Sequence, residues 1–125
     1  MHRTSLVALA SIVLTAAAAG GAPASAQDAA KGAEVYQDRC GSCHVLNGVG
    51  QGPNLLGVVG RKAASVAGFN YSDAMKASGL TWTPSNLDKF LAGPTKLVPG
   101  TAMRAIVADP ADRRDLIAYL ATLKH

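Results

Sequence analysis

Cys40-Gly41-Ser42-Cys43-His44 places two thiols two residues apart and an imidazole directly after the second. This is the attachment pattern of a c-type haem. Each thiol can form a thioether to one vinyl group, which fixes the ring covalently. His44 then lies under the iron and offers a ring nitrogen as the proximal ligand. Gly41 and Ser42 are small, so the backbone can pass close to the porphyrin edge.

Three other chemistries use paired cysteines. A disulfide between Cys40 and Cys43 would close a very tight loop. A thioredoxin-like redox pair needs a strand–helix–strand surround, and no β-rich run flanks the motif. A zinc site needs two further ligands at matching spacing. The chain holds 2 cysteines and 3 histidines, and the other histidines are His2 and His125 at the two ends.

Upstream of the motif, residues 28–39 read as a first helix. Asp28 puts an acid at its start, where the helix dipole favours negative charge. Gly32, Val35 and Tyr36 fall on one side, at i, i+3 and i+4. Glycine inside a helix costs about 1 kcal/mol relative to alanine, so Gly32 marks a close crossing by another helix.

Downstream, residues 45–60 lack a helical period and carry Gly48, Gly50, Gly52, Pro53, Gly57 and Gly60. They form a loop wrapping something, with Leu55, Leu56, Val58 and Val59 as its apolar lining. The Pro53 carbonyl is free to accept, and a proximal histidine needs a partner for its second ring nitrogen. Arg61 has the planar fork that suits a haem propionate, although a solvated Arg61-Lys62 pair is the plainer alternative. Ser72 caps a short helix over 72–77, which Gly79 ends. Trp82, the only tryptophan, lies in an extended stretch, and a haem carboxylate would serve its indole N–H.

Thr83-Pro84 is a cap followed by proline at the first helical position. That helix runs to Ala92, stops at Gly93-Pro94 and shows Leu87, Phe90 and Leu91 on its apolar face. A loop follows over 96–104, where Pro99 limits chain freedom and Met103 offers a thioether as sixth ligand. Core filling is the alternative for any methionine, Met75 included. Asp109-Pro110 starts the last helix. Leu116, Tyr119, Leu120 and Leu123 share its inner face, which partners Gly32, and Arg113, Arg114 and Asp115 are expected to face outward.

The 125-residue length favours a single domain. Its first 26 residues read as a cleaved secretory signal, with His2-Arg3, an apolar run from Leu6 to Ala19 and the small-residue site Ala24-Ser25-Ala26. The run is short for a membrane span of about 20 residues. Residues 27–125 then form the domain, and export places it in the periplasm. Losing Arg3 leaves the Lys/Arg in modest excess over the 8 Asp/Glu. That balance suits weak docking to acidic protein surfaces and is too small and scattered for nucleic acid.

With these residues in hand, the chain resembles a class I cytochrome c, close to the cytochrome c2 and mitochondrial cytochrome c group. The likeness covers essentially all of 27–125. It rests on the haem motif, Gly52-Pro53-Asn54-Leu55, Gly60-Arg61-Lys62, Gly68 to Ala74, Leu80-Thr81-Trp82, Pro99 to Met103 and Asp115 to Leu120. The resemblance implies an all-α, small cytochrome c fold. Its terminal helices cross at Gly32 and Tyr36 against Leu116 and Tyr119, and short helices and loops wrap one covalently bound haem c.

The resemblance further implies His44 and Met103 as axial ligands and Cys40 and Cys43 as thioethers. It implies Pro53 as acceptor from His44, and Arg61, Tyr71 and Trp82 on the propionates. Thr101 belongs with Met103 on the same side of the haem. The implied activity is one-electron shuttling by a monomer between membrane redox complexes: a bc1-type donor, and a terminal oxidase or photosynthetic reaction centre as acceptor. The competing function is a haem enzyme of peroxidase type with a labile sixth ligand. Phe90, Met75 and Ala102 depart from the family's common tyrosine, asparagine and lysine, and the loop between His44 and Gly52 is short.

Overall fold

Four of the five helices start where a side-chain oxygen accepts their otherwise free N–H groups. The computed structural model describes residues 27–125, so the signal segment expected over 1–26 lies outside the described residues. Helix α1 (Ala29–Arg39) is capped by Asp28, which accepts from Ala30 N at 3.0 Å and Lys31 N at 3.1 Å. Ser72 caps α2 (Asp73–Ala77) through Met75 N at 3.1 Å. Thr83 caps α3 (Pro84–Ala92) through Asn86 N at 3.1 Å. Asp109 caps α5 (Pro110–Thr122) through Ala111 N at 2.7 Å and Asp112 N at 3.2 Å. These starts agree with the sequence pattern.

One helix goes beyond that pattern. Pro94 ends α3 and at once opens α4 (Pro94–Leu97), which has no side-chain cap. Proline's missing N–H is harmless at a first helical position, so the residue that stops one helix starts the next.

The chain ends meet where α1 crosses α5. Gly32 gives the close approach, and a methyl there would overlap the Asp115 carbonyl and come within 2.8 Å of Tyr119 Cβ. Tyr36 and Tyr119 pack with ring centroids 5.4 Å apart, tilted by 57°. Leu116 is fully buried at the centre, a placement that contributes roughly 1.5–3 kcal/mol.

The outward face expected of α5 is corrected here. Asp115 is buried, accepts from Asp28 N at 3.0 Å and pairs with Arg114 at 2.9 Å. The Arg113 side chain is 12% exposed and bridges Asp88 of α3 at 2.7 Å. It also donates to Val107 O and Ala108 O at 3.0 and 2.9 Å. A buried charge stays charged only when it is partnered in this way.

The long segment before α2 is irregular, as its glycines require. Its one strand-like pairing among the described residues is an antiparallel bridge between Lys62 and Thr81. Trp82 N donates to Arg61 O, and Ala63 N to Leu80 O, both at 2.8 Å. These bonds fold the loop over the side chains of α3 and α5. The helices and loops together border a cavity.

Candidate functional site

That cavity has a volume of about 390 Å³, within the range of roughly 300–1,000 Å³ usual for cofactor sites. Cys40, Cys43, His44, Pro53, Arg61, Tyr71, Trp82, Thr101 and Met103 all line it. Residues spread over more than half the chain therefore converge on one space. Leu55 and Val58 line it as expected, whereas Leu56 and Val59 do not. Leu56 N instead donates to Asn54 Oδ1 at 2.8 Å, and that local turn carries its side chain away.

The motif sits on a turn that closes α1. Cys40 N and Gly41 N both donate to Tyr36 O at 2.8 Å. His44 N donates to Cys40 O at 2.8 Å, and Cys43 N to the same oxygen at 3.1 Å. This winding brings both thiols and the imidazole to the cavity wall. Both cysteines are free, with Cys40 buried and Cys43 partly so. Burial pushes the Cys40 thiol up to about 11, against the lowering effect of Arg39. Among the described residues no cluster of three or more His, Cys, Asp or Glu exists to hold a metal.

His44 is held from three sides. Its Nδ1 lies 2.8 Å from Pro53 O. Since a carbonyl can only accept, Nδ1 carries the proton and Nε2 keeps a free lone pair. Burial lowers the His44 pKa, Pro53 opposes that shift, and the Arg61 charge adds to it. A methyl at Gly52 would come within 2.5 Å of His44 Cε1 and 2.6 Å of Nδ1, so only glycine lets the loop lie against the ring. Tyr36 donates its hydroxyl to His44 O.

Met103 lines the same cavity. Its loop is pinned by Thr101 N to Val98 O at 3.0 Å and Val107 N to Leu91 O at 2.9 Å. Met103 N lies 3.4 Å from Thr101 Oγ1. Met75 also lines the cavity, but from α2 and within the buried core.

A family model described as cytochrome c matches residues 29–124. The chain belongs to the cytochrome c family. It is 49% identical over 102 residues to cytochrome c2 of Rhodomicrobium vannielii, covering 78% of this chain and 81% of that protein. Cytochrome c of Cochliobolus lunatus is 45% identical over 97 residues, covering 74% of this chain and 90% of that protein. Among solved structures, cytochrome cH from Methylobacterium extorquens superimposes with a TM-score of 0.72 at 46% identity. It covers 76% of this chain and 98% of its own.

The fold is thus the small all-α cytochrome c fold, and the cofactor of the family is one covalently attached haem c. The cavity fits that group chemically. Among the described residues Arg39, Arg61 and Arg104 line it and no Asp or Glu does, which suits the two propionates. Arg61 donates to Leu56 O at 2.8 Å and Asn54 O at 3.0 Å, yet its buried Nε has no partner. Burial lowers the Arg61 pKa, and an anion beside it would offset that cost. Tyr71 Oη accepts from Val66 N at 3.1 Å, leaving its own proton to donate.

Two supporting residues carry roles that their sequence context does not spell out. Gly52 reads from sequence only as part of a glycine-rich loop. Asn54 ties the loop base by donating to Leu46 O at 2.8 Å. Their signal is present, a glycine and an amide in a cytochrome c motif, but their contacts depend on the folded path.

Proposed function

We propose that this cytochrome c family member is a periplasmic one-electron carrier, with His44 and Met103 as the axial ligands of its haem and Cys40 and Cys43 as its thioethers. The observation that carries this is the His44 ring held by Pro53 with its other nitrogen free, in one cavity with the Met103 sulfur. When bound, the haem supplies a single-electron couple. A thioether opposite histidine raises its potential, as established for cytochromes c. His44 and Met103 would hold the iron from the protein, which would keep substrate away from it and leave the group to exchange electrons only.

The peroxidase alternative needs an open position and distal acid–base groups. Among the described residues His44 is the only histidine lining the cavity, and no carboxylate lines it, which favours the carrier. Arg61, Tyr71 and Trp82 serve the propionates, and Thr101 supports the Met103 side. Residues 1–26 act as the export signal and 27–125 as the working domain. No described helix is long and apolar enough to cross a membrane. A monomer then meets a bc1-type donor and a terminal oxidase or photosynthetic reaction centre as acceptor, by transient docking.

The test compares two methionines. Met103→Ala should lower the reduction potential and open the iron to small ligands, while Met75→Leu should leave the methionine–iron absorption band intact. The reverse pattern would assign the ligand to Met75. Turnover of the mature holoprotein with isolated membrane complexes then tests the shuttle directly.

A further inference from the structure

Asn47 precedes Gly48 in the loop between the haem motif and Pro53, and both are exposed. Gly48 has φ +109°, and a Cβ built on it would meet nothing within 4 Å. No backbone hydrogen bond holds its N–H among the described residues. The bonds of this loop lie at its base, through Gly52 N to Cys43 O at 2.9 Å and Asn54 Nδ2 to Leu46 O at 2.8 Å. Val49, beyond the glycine, is 97% exposed. The segment 47–49 thus stands in solvent with its amides free.

The other three asparagines differ. Asn54 is bonded through both ends of its amide. Asn86 lies in α3 and donates to Thr81 O at 2.8 Å. Asn70 is exposed but precedes Tyr71, and a residue with a bulky Cβ substituent attacks through its amide nitrogen less readily than glycine. Asn47 alone combines exposure with a following glycine, which has no Cβ to block approach to its nitrogen.

We propose that Asn47 is a self-modification site that converts to aspartate and isoaspartate in the folded protein. The Gly48 backbone nitrogen attacks Asn47 Cγ. The Cγ–Nδ2 bond breaks, and ammonia leaves with the proton lost from the Gly48 nitrogen. Water then adds to either carbonyl of the succinimide and returns a proton to the ring nitrogen as that C–N bond opens. Nothing is oxidised or reduced. Attack at one carbonyl yields aspartate, and attack at the other yields isoaspartate with a methylene added to the backbone.

The product is a carboxylate where an amide stood. It lies four residues from both Cys43 and Gln51, which line the cavity alongside Arg39 and Arg104 and no acidic residue. A new negative charge reduces the modest Lys/Arg excess of the chain and with it the attraction for an acidic partner. That effect on docking rests on the carrier function proposed above, whereas the chemistry at Asn47 does not.

The test incubates the purified holoprotein at mildly alkaline pH, where amide nitrogen ionises more readily. Cation-exchange chromatography follows acidic species, and peptide mass with isoaspartate analysis locates them. The unaltered protein and Asn70→Ser should accumulate an acidic species mapped to Asn47-Gly48. Asn47→Ser, which leaves Gly48 in place, should lose it completely. An acidic species that persists in Asn47→Ser would overturn the proposal. So would a folded protein that stays unmodified while a peptide of the same sequence converts. The converted fraction should be reduced by an acidic redox partner more slowly at low salt and equally at high salt. Equal rates at low salt would overturn the effect on docking. The absorption spectrum reports the axial ligands separately, so a failed carrier assignment is not mistaken for a failed modification.

Discussion

Gly32 of α1 and the carbonyl of Asp115 in α5 touch backbone to backbone, with no room for a methyl between them. Two opposing terms act on Gly32→Ala. Helix propensity favours alanine by about 1 kcal/mol. Overpacking against a helix backbone that cannot rotate away costs about 3 kcal/mol. The expected result is a net loss of about 2 kcal/mol, read as a lower denaturant midpoint with an unchanged slope. A gain in stability would show that the helices separate at no cost.

Gly52→Ala should act at the haem rather than at the helix crossing. The added methyl lies 2.5 Å from His44 Cε1, so the ring must turn away from Pro53 O. His44, the proposed proximal ligand, then loses its partner and its orientation. Visible absorption should show a weakened axial field, and stability should fall by about 2 kcal/mol. An unaltered spectrum and midpoint would mean that the loop, not the ring, gives way.

Asp115 makes stability depend on acid. The Asp28 N–H holds its carboxyl below the usual range, burial opposes this, and Arg114 assists the lowering. The folded-state pKa is therefore below the unfolded one. The contribution is complete above the ordinary carboxylate pKa of about 4 and disappears as pH falls through the folded value. Asp115→Asn should be less stable at neutral pH and show a flatter loss of stability in acid. Parallel acid-unfolding curves for the two proteins would contradict this.

The Met103 side of the cavity should be dry. Met75, Phe90 and Thr101 are 8%, 6% and 5% exposed, and Phe90 packs on Trp82 with ring centroids 4.9 Å apart. A buried water needs about two to four polar partners, and Met75 and Phe90 offer no strong ones. Crystal structures at high resolution should show more ordered water there after Met75→Asn with Phe90→Tyr. A fully bonded water network in the unaltered protein would rule this out.

Local chemistry makes much of this protein legible in its sequence. The haem motif lies within five consecutive residues, so its spacing points to the attachment chemistry before any fold is known. Asp28, Ser72, Thr83 and Asp109 each cap N–H groups two or three residues ahead, which is why four helix starts follow from the sequence. The close crossing at Gly32 is legible because glycine inside a helix is costly without a packing reason.

What the tertiary structure alone decided lies far apart along the chain. Asp115 reads as an outward charge on α5, yet it is buried because the Asp28 N–H, 87 residues away, comes to meet it. Arg113 turns inward for Asp88, 25 residues away. One N–H from each end of the Arg61 fork goes to a loop carbonyl, and its buried Nε has no partner. Leu56 and Val59 look like cavity lining by type but are carried off it by the loop. Side-chain chemistry states which partners a group needs; only the path of the folded chain determines which of them arrive.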